Sequence, residues 1–181
     1  MTRRSTPTTT AGMSAAEVVA ANEELDRLLL EELERAELAR PPRADGEWAA
    51  AEVAAHLAEF PHFFASEIER WRSDPGVAVG RTHDDEGRLA AVAAAWSDDP
   101  SRLRSRVREA FSVLGAALQQ LSDADITAAT HNVKYGEEPL SAFLDRYVVS
   151  HKAGHLEQLR ALASERHDPP RKEPVSDDEQ R

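Results

Sequence analysis

The sequence has no cysteine, few aromatic residues and no long apolar segment. Without cysteine the chain cannot form a disulfide framework, a cysteine-ligated zinc or iron–sulfur site, or a thiol nucleophile of its own. Any metal site must therefore use histidine, aspartate or glutamate. Aromatic residues make up only 6% of the chain, so the core must consist mainly of leucine, valine and alanine. No apolar run approaches the roughly 18 residues of a transmembrane helix, so no membrane partner is expected.

Positive charge is scarce as well. Acidic residues number 33 against 22 basic ones, and the net charge is −11. Non-specific nucleic-acid binding requires a basic face that replaces the counterions of the phosphates. We therefore expect no nucleic-acid partner. The polar N-terminus lacks the apolar stretch of a signal peptide, and the expected location is the cytoplasm.

Both ends of the chain are polar and contain prolines and charges. Such segments bury too little apolar surface to offset the conformational entropy that is lost on ordering. We predict disordered tails at residues 1–13 and 164–181, and one helical domain at 14–163. The total of 181 residues is the size of a single domain.

Four stretches of this domain have apolar residues at helical spacing, and none shows the sustained alternation typical of strands. The first follows the capping-box pattern Ser14-Ala-Ala-Glu17, and the second begins near Trp48. The third follows Asp99-Pro100, and the fourth opens at Pro139. Four amphipathic helices indicate an all-α protein with the fold of a helical bundle.

Histidine occupies inward positions in two of these helices, where an apolar residue is expected. His151 and His155 are four residues apart, so both rings lie on one face of the fourth helix. His56 lies between Val53 and Phe60 on the inward face of the second helix. An imidazole buried without a partner costs about 1–3 kcal/mol, and one divalent metal would satisfy all three rings. Spacing alone leaves open the alternative of core histidines that bind carbonyl groups.

Four further residues are candidates for the lining of such a site: Tyr147, His131, Glu59 and Glu52. Tyr147 precedes His151 by one turn, so its hydroxyl is placed to bond a metal-bound ligand; otherwise it is a core aromatic with a polar tip. The two glutamates flank His56, and each either orients that ring or remains a solvated charge. His131 either lines the pocket or orders its loop.

The histidine pair of the fourth helix does not form a zinc-protease motif. In the segment His151-Lys-Ala-Gly-His155, Lys152 occupies the position of the general-base glutamate of the His-Glu-x-x-His motif. A lysine cannot act there as a carboxylate base. The sequence therefore excludes that protease mechanism.

Two blocks of the sequence resemble the DinB/YfiT-like superfamily. The segment Trp48-Ala-Ala-Ala-Glu-Val-Ala-Ala-His56-Leu57 is similar to the second-helix pattern of that family. The segments Gly136-Glu-Glu-Pro-Leu140 and His151-Lys-Ala-Gly-His155-Leu-Glu-Gln-Leu159 are similar to its C-terminal pattern. His131 also matches a frequent family position, and the resemblance covers about residues 16–163.

This resemblance implies a four-helix bundle of up-up-down-down topology, with a long connection between helices two and three for which residues 73–98 would serve. It also implies that His56, His151 and His155 bind one divalent transition metal, with zinc or nickel favoured over iron. A homodimer is suggested by the resemblance alone.

The function implied by the resemblance is metal-dependent chemistry on a small molecule. Three protein ligands leave a metal position open, where a bound water or thiol becomes a nucleophile near neutral pH. Mycothiol-using relatives have glutamate in place of the first histidine of the last pair, so His151 is closer to three-histidine members, which include thiol S-transferases. We expect a thiol S-transferase or related hydrolase that uses a low-molecular-weight thiol. The alternative is a non-catalytic stress or sensor protein that binds a metal or ligand.

Overall fold

The computed structural model describes residues 12–39 and 46–164. Most of the described chain is helical, with a small sheet: α1 Ala15–Arg35, α2 Ala50–Ser73, β1 Ala78–Val79, α3 Glu86–Ala93, α4 Pro100–Leu118, α5 Asp123–Thr127, β2 Ala129–Asn132, β3 Gly136–Pro139, α6 Leu140–Leu144 and α7 Ser150–Ser164. A 3₁₀ turn, Ala94–Ser97, extends α3. A π-helical turn, Asp145–Val149, joins α6 to α7.

The four long helices expected from the sequence are confirmed as α1, α2, α4 and the combined α6–α7. At the start of α1 the Ser14 hydroxyl accepts the amide of Glu17, whose carboxylate accepts the amide of Ser14 at 2.8 Å. Asp99 caps α4 by accepting two backbone amides. The predicted tails, 1–13 and 164–181, lie almost wholly outside the described residues, and Ser164 is the last residue of α7.

The three-stranded sheet was not expected. Strand β2 pairs with β1 in parallel and with β3 antiparallel, so residues 129–139 form a hairpin. The strands contain only two to four residues, too few for an alternating pattern to be recognised in the sequence. The sheet ties the connection after α2 to the segment that leads into the last helix.

Helix α2 lies at the centre of the bundle. It packs along α4, while α1 packs against both α4 and α7. Six buried alanines of α2 allow close approach of the neighbouring elements: Ala50, Ala51, Ala54, Ala55, Ala58 and Ala65. This packing explains how a core with few aromatic residues fills its interior. Among the described residues, no helix is both long and apolar enough to span a membrane.

A charged side chain lies inside this core. Lys152 of α7 is fully buried, and its Nζ donates to the side-chain oxygen of Asn22 at 2.6 Å and contacts the carboxylate of Asp26. The ammonium also lies 4.3 Å from the centre of the Phe111 ring. Burial lowers the pKa of Lys152 and raises the pKa of Asp26, while the attraction between them opposes both shifts. The contact joins α1 to α7 through the middle of the bundle.

We expect Asp26→Asn to destabilise the protein by about 3 kcal/mol, because it leaves the buried ammonium of Lys152 without a counter-charge. Chemical denaturation at pH 7 measures the change in unfolding free energy. Glu24→Gln, which removes an exposed ion pair on the same helix, is the matched control and should leave the transition nearly unchanged. Equal effects of the two substitutions would contradict the role of the buried pair.

Candidate metal centre

Three imidazole rings converge between α2 and α7. The Nε2 atom of His56 lies 2.9 Å from Nε2 of His151, which in turn lies 3.2 Å from Nε2 of His155. His56 is buried and the other two rings are half-buried. The structure thus brings together, with their Nε2 atoms facing one another, three side chains that are separated by up to 99 residues in the sequence.

Hydrogen bonds between the three rings cannot satisfy all of their Nε2 atoms at once. The Nε2 atom of a neutral imidazole either donates one hydrogen or accepts one, and Nε2 of His151 faces two other ring nitrogens. Burial, with repulsion from neighbouring histidines and arginines, lowers the pKa of His56 to about 2 and that of His151 to about 3. Burial also lowers the pKa of His155. The rings are therefore neutral at pH 7, as metal ligands must be.

The outer nitrogens of the rings determine which tautomer is present. Nδ1 of His155 lies 3.1 Å from the side-chain oxygen of Gln158. A carbonyl oxygen only accepts, so Nδ1 carries the hydrogen and Nε2 presents its lone pair to the cluster. Nδ1 of His56 is buried without a hydrogen-bond partner in the described part of the chain, and a carboxylate oxygen of Glu59 lies 3.8 Å from it.

The spacing of the three nitrogens fits a transition-metal ion. With metal–nitrogen bonds of about 2.0–2.1 Å, two imidazoles on one ion at 90–110° lie about 2.9–3.4 Å apart. The observed Nε2 distances of 2.9 and 3.2 Å fall in this range. Imidazole donors suit zinc, nickel, iron and copper, so the donor set does not choose among these ions.

Aromatic rings close one side of the cluster. The indole of Trp48 stacks on His155 with an interplanar angle of 8° and meets His56 edge-on at 5.3 Å between ring centres. The ring of Phe60 lies 4.8 Å from His151. These apolar neighbours exclude water from one side of the imidazoles, which strengthens electrostatic interactions in the site.

Two of the four predicted neighbours lie at the site. Tyr147 lines the same cavity as His151, and its hydroxyl is 3.5 Å from the side-chain oxygen of Asn132. Glu59 lies beside His56, but its carboxylate also forms a two-pronged ion pair with Arg81, with an Nη2–Oε2 distance of 2.6 Å. Glu59 is therefore held in place by a cation rather than left in solvent.

The other two predicted neighbours have different roles. Glu52 is in the first turn of α2, where its carboxylate accepts the backbone amide of Ala49 at 2.9 Å instead of orienting an imidazole. His131 is exposed on β2, since Thr130 and Asn132 occupy the inward positions of that strand and side chains alternate between its faces. It is not among the residues that line the cavity.

A cavity of about 230 Å³ opens beside His56 and His151. Its walls contain three aromatic side chains and four basic ones: Phe64, Tyr135, Tyr147, Arg81, Arg88, Lys134 and Arg146. The basic residues come from the loop before α3, from α3, from the hairpin and from the π-helical turn. Sequence reasoning missed them because no local pattern joins these segments. The role of Gln158 was not predicted from the sequence either, although this residue follows His155 by one turn of the helix.

The family can be assigned from the sequence. A model of the DinB superfamily matches residues 4–159, which include all three imidazoles. The chain belongs to the DinB superfamily. No curated protein matches the sequence significantly.

Solved structures of the same fold have low sequence identity to this DinB-superfamily chain. YfiT from Bacillus subtilis, described as a probable metal-dependent hydrolase with an unusual four-helix bundle topology, is 17% identical over 93% of this chain and 95% of its own, with a TM-score of 0.69. The mycothiol-dependent maleylpyruvate isomerase is 18% identical; the match covers 87% of this chain and 71% of the isomerase, with a TM-score of 0.62. The colibactin self-resistance protein ClbS, solved with double-stranded DNA, is 16% identical; the match covers 83% of this chain and 95% of ClbS, with a TM-score of 0.61. These matches confirm the fold.

The low pKa values predict how the stability of the metal-free protein depends on pH. Below pH 6.5 the unfolded chain binds protons on these histidines and the folded chain does not, so stability falls as pH decreases toward the folded values. Each such histidine contributes about 1.4 kcal/mol per pH unit. His56→Gln should reduce the slope of unfolding free energy between pH 5.5 and 4.5 by about this amount, because the unfolded histidine is almost fully protonated there and the folded one is not. His83→Gln, outside the cluster, is the control, and equal slopes in both variants would contradict the prediction.

Proposed function

We propose that the protein is a metal-dependent enzyme that acts on small molecules, as a thiol S-transferase or a related hydrolase. In this proposal His56, His151 and His155 hold one divalent transition metal, with zinc or nickel favoured over iron. The observation that carries the proposal is the convergence of three neutral imidazole nitrogens beside a cavity. Two fold neighbours, a probable metal-dependent hydrolase and a mycothiol-dependent isomerase, support the same class of chemistry.

A divalent ion on three protein ligands supplies a Lewis acid with an open position, which lowers the pKa of a bound water or thiol. The chain contributes neutral donors only, so the ligand set cancels none of the positive charge of the ion. Gln158 holds the tautomer of His155 that presents its Nε2 lone pair. Glu59, fixed by Arg81, is the carboxylate beside Nδ1 of His56. The Tyr147 hydroxyl is positioned in the cavity to orient a bound substrate.

The lack of cysteine restricts the thiol reaction. No side chain of this protein can supply a thiolate, so a transferred thiol must enter as a low-molecular-weight cosubstrate. The cavity of about 230 Å³ is of a size for small molecules. The prediction of no nucleic-acid partner rests on the net charge of −11, and the fold neighbour ClbS, solved with double-stranded DNA, weighs weakly against it. A homodimer stays a prediction.

Metal analysis and a conjugation assay test the proposal together. Protein purified without an affinity tag should contain about one equivalent of metal, and it should transfer a low-molecular-weight thiol to chlorodinitrobenzene or hydrolyse an activated ester. His151→Ala should weaken metal binding by about 100-fold or more, since loss of supporting contacts alone costs about 10- to 100-fold. His62→Ala, on the exposed face of α2, is the matched control.

Three outcomes separate the alternatives. Metal loss and activity loss together in the His151 variant would support the enzyme. Stoichiometric metal without turnover on any thiol or ester would favour the non-catalytic sensor or stress protein. Wild-type protein that binds no metal would disprove the metal site itself.

Gln158→Ala should weaken metal binding by about 10- to 100-fold, because His155 loses the hydrogen bond that selects its tautomer. Competition with a chromogenic chelator measures the affinity. Gln120→Ala, at an exposed position after α4, serves as the control. Unchanged affinity in the Gln158 variant would show that the ring is oriented by its packing against Trp48 instead.

A further inference from the structure

The cavity beside the three imidazoles is positively charged, although the chain as a whole is acidic. Four basic side chains line it, and the described residues place no aspartate or glutamate in its walls. The whole chain has 33 acidic and 22 basic residues, so this local excess runs against its composition. A concave site of one charge sign raises the local concentration of ligands of the opposite sign.

Two of the four cations already have carboxylate partners. The guanidinium of Arg81 pairs with both oxygens of Glu59 and lies 3.0 Å from an oxygen of Asp85. Arg146 donates to both carboxylate oxygens of Glu138, at 2.7 and 2.8 Å. These arginines are held rigidly and contribute little uncompensated charge to the cavity.

Arg88 and Lys134 are different. Within residues 12–39 and 46–164 neither forms an ion pair with a carboxylate. Arg88 donates to the backbone carbonyl of His83 at 2.9 Å, and Nζ of Lys134 lies 3.0 Å from Nε2 of the same histidine. Neither contact supplies a negative charge, so both positive charges at the cavity lack a carboxylate partner in the described part of the chain.

Arg88 is held close to the imidazoles. Its guanidinium lies 5.2 Å from the centre of the Trp48 ring, and that ring stacks on His155. The planar fork of a guanidinium matches two oxygens of a carboxylate or phosphate. Lys134, which is exposed at the opening, adds a point charge for the same group.

We propose that the cavity binds a small organic anion, whose carboxylate or phosphate group contacts Arg88 and Lys134. The stacked rings of Phe64 and Tyr147, 4.9 Å apart, form an apolar wall for the rest of the ligand. The further claim that this anion is the substrate rests on the proposed function, because it requires that the imidazole cluster acts on the bound anion. Binding of the anion requires only the two cations and the cavity.

Calorimetric titration of the full-length protein, freed of metal by a chelator, tests the proposal with three probes of similar shape. Benzoate or phenyl phosphate should bind at least tenfold more tightly than uncharged benzyl alcohol, and the tighter anion identifies the group that is recognised. Arg88→Gln should weaken anion binding by about tenfold to 100-fold. Arg102→Gln, an exposed arginine of α4 outside the cavity, should leave binding unchanged.

Lys134→Gln provides a second variant, because an exposed hairpin side chain can be replaced without loss of the fold. The proposal is overturned if benzyl alcohol binds as tightly as the anions, if neither anion binds at millimolar concentration, or if both cation variants bind like the wild type. Anion binding by a wild-type protein that takes up no metal would disprove the proposed function alone. Metal uptake without anion binding would disprove only this inference.

Discussion

The position of α7 is determined by a charge buried inside the bundle. An ammonium group in the core is tolerated only where hydrogen bonds and a counter-charge replace its water. Lys152 finds these on α1, in Asn22 and Asp26, so α7 can neither slide nor rotate without separating them. His151 is the preceding residue and His155 follows within one turn. When α7 is oriented so that Lys152 reaches its partners on α1, the imidazoles of His151 and His155 therefore point toward α2 and His56.

The contacts that hold α7 in place and the imidazoles of the candidate site lie on different sides of this helix. Charged contacts hold α7 from the α1 side, whereas His151 and His155 meet α2 and the residues before it through neutral imidazoles and aromatic rings. Nε2 of His151 cannot satisfy two ring neighbours by hydrogen bonds, whereas one cation could accept the lone pairs of all three rings. Any ligand that binds the folded state alone also stabilises it. If His151 and His155 hold a metal as proposed, metal binding will also stabilise α7.

The sequence predicted the parts that depend on local patterns. The capping box at Ser14, the start of a helix at Pro100, the four amphipathic helices and the inward positions of three histidines all follow from patterns over a few residues. The strands around His131 were missed because they are too short to show alternation. The contact of Lys152 with Asp26 was missed because it joins residues 126 apart, and no periodicity shows which helix faces meet. The cationic cavity was missed for the same reason.

The fold neighbours include a probable hydrolase, an isomerase and a protein solved with DNA, so the bundle does not itself specify a reaction. The charge of the site says more than the fold about which ligands the site would favour. In the proposed metal site, neutral imidazoles would leave the full charge of a divalent ion in place. Arg88 and Lys134, which have no carboxylate partner among the described residues, would add to it. A site of this kind stabilises a thiolate, a hydroxide or an anionic substrate more than their neutral forms. In the proposed thiol reaction, a chain without cysteine has no thiolate of its own, so the thiolate nucleophile would have to come from a bound cosubstrate.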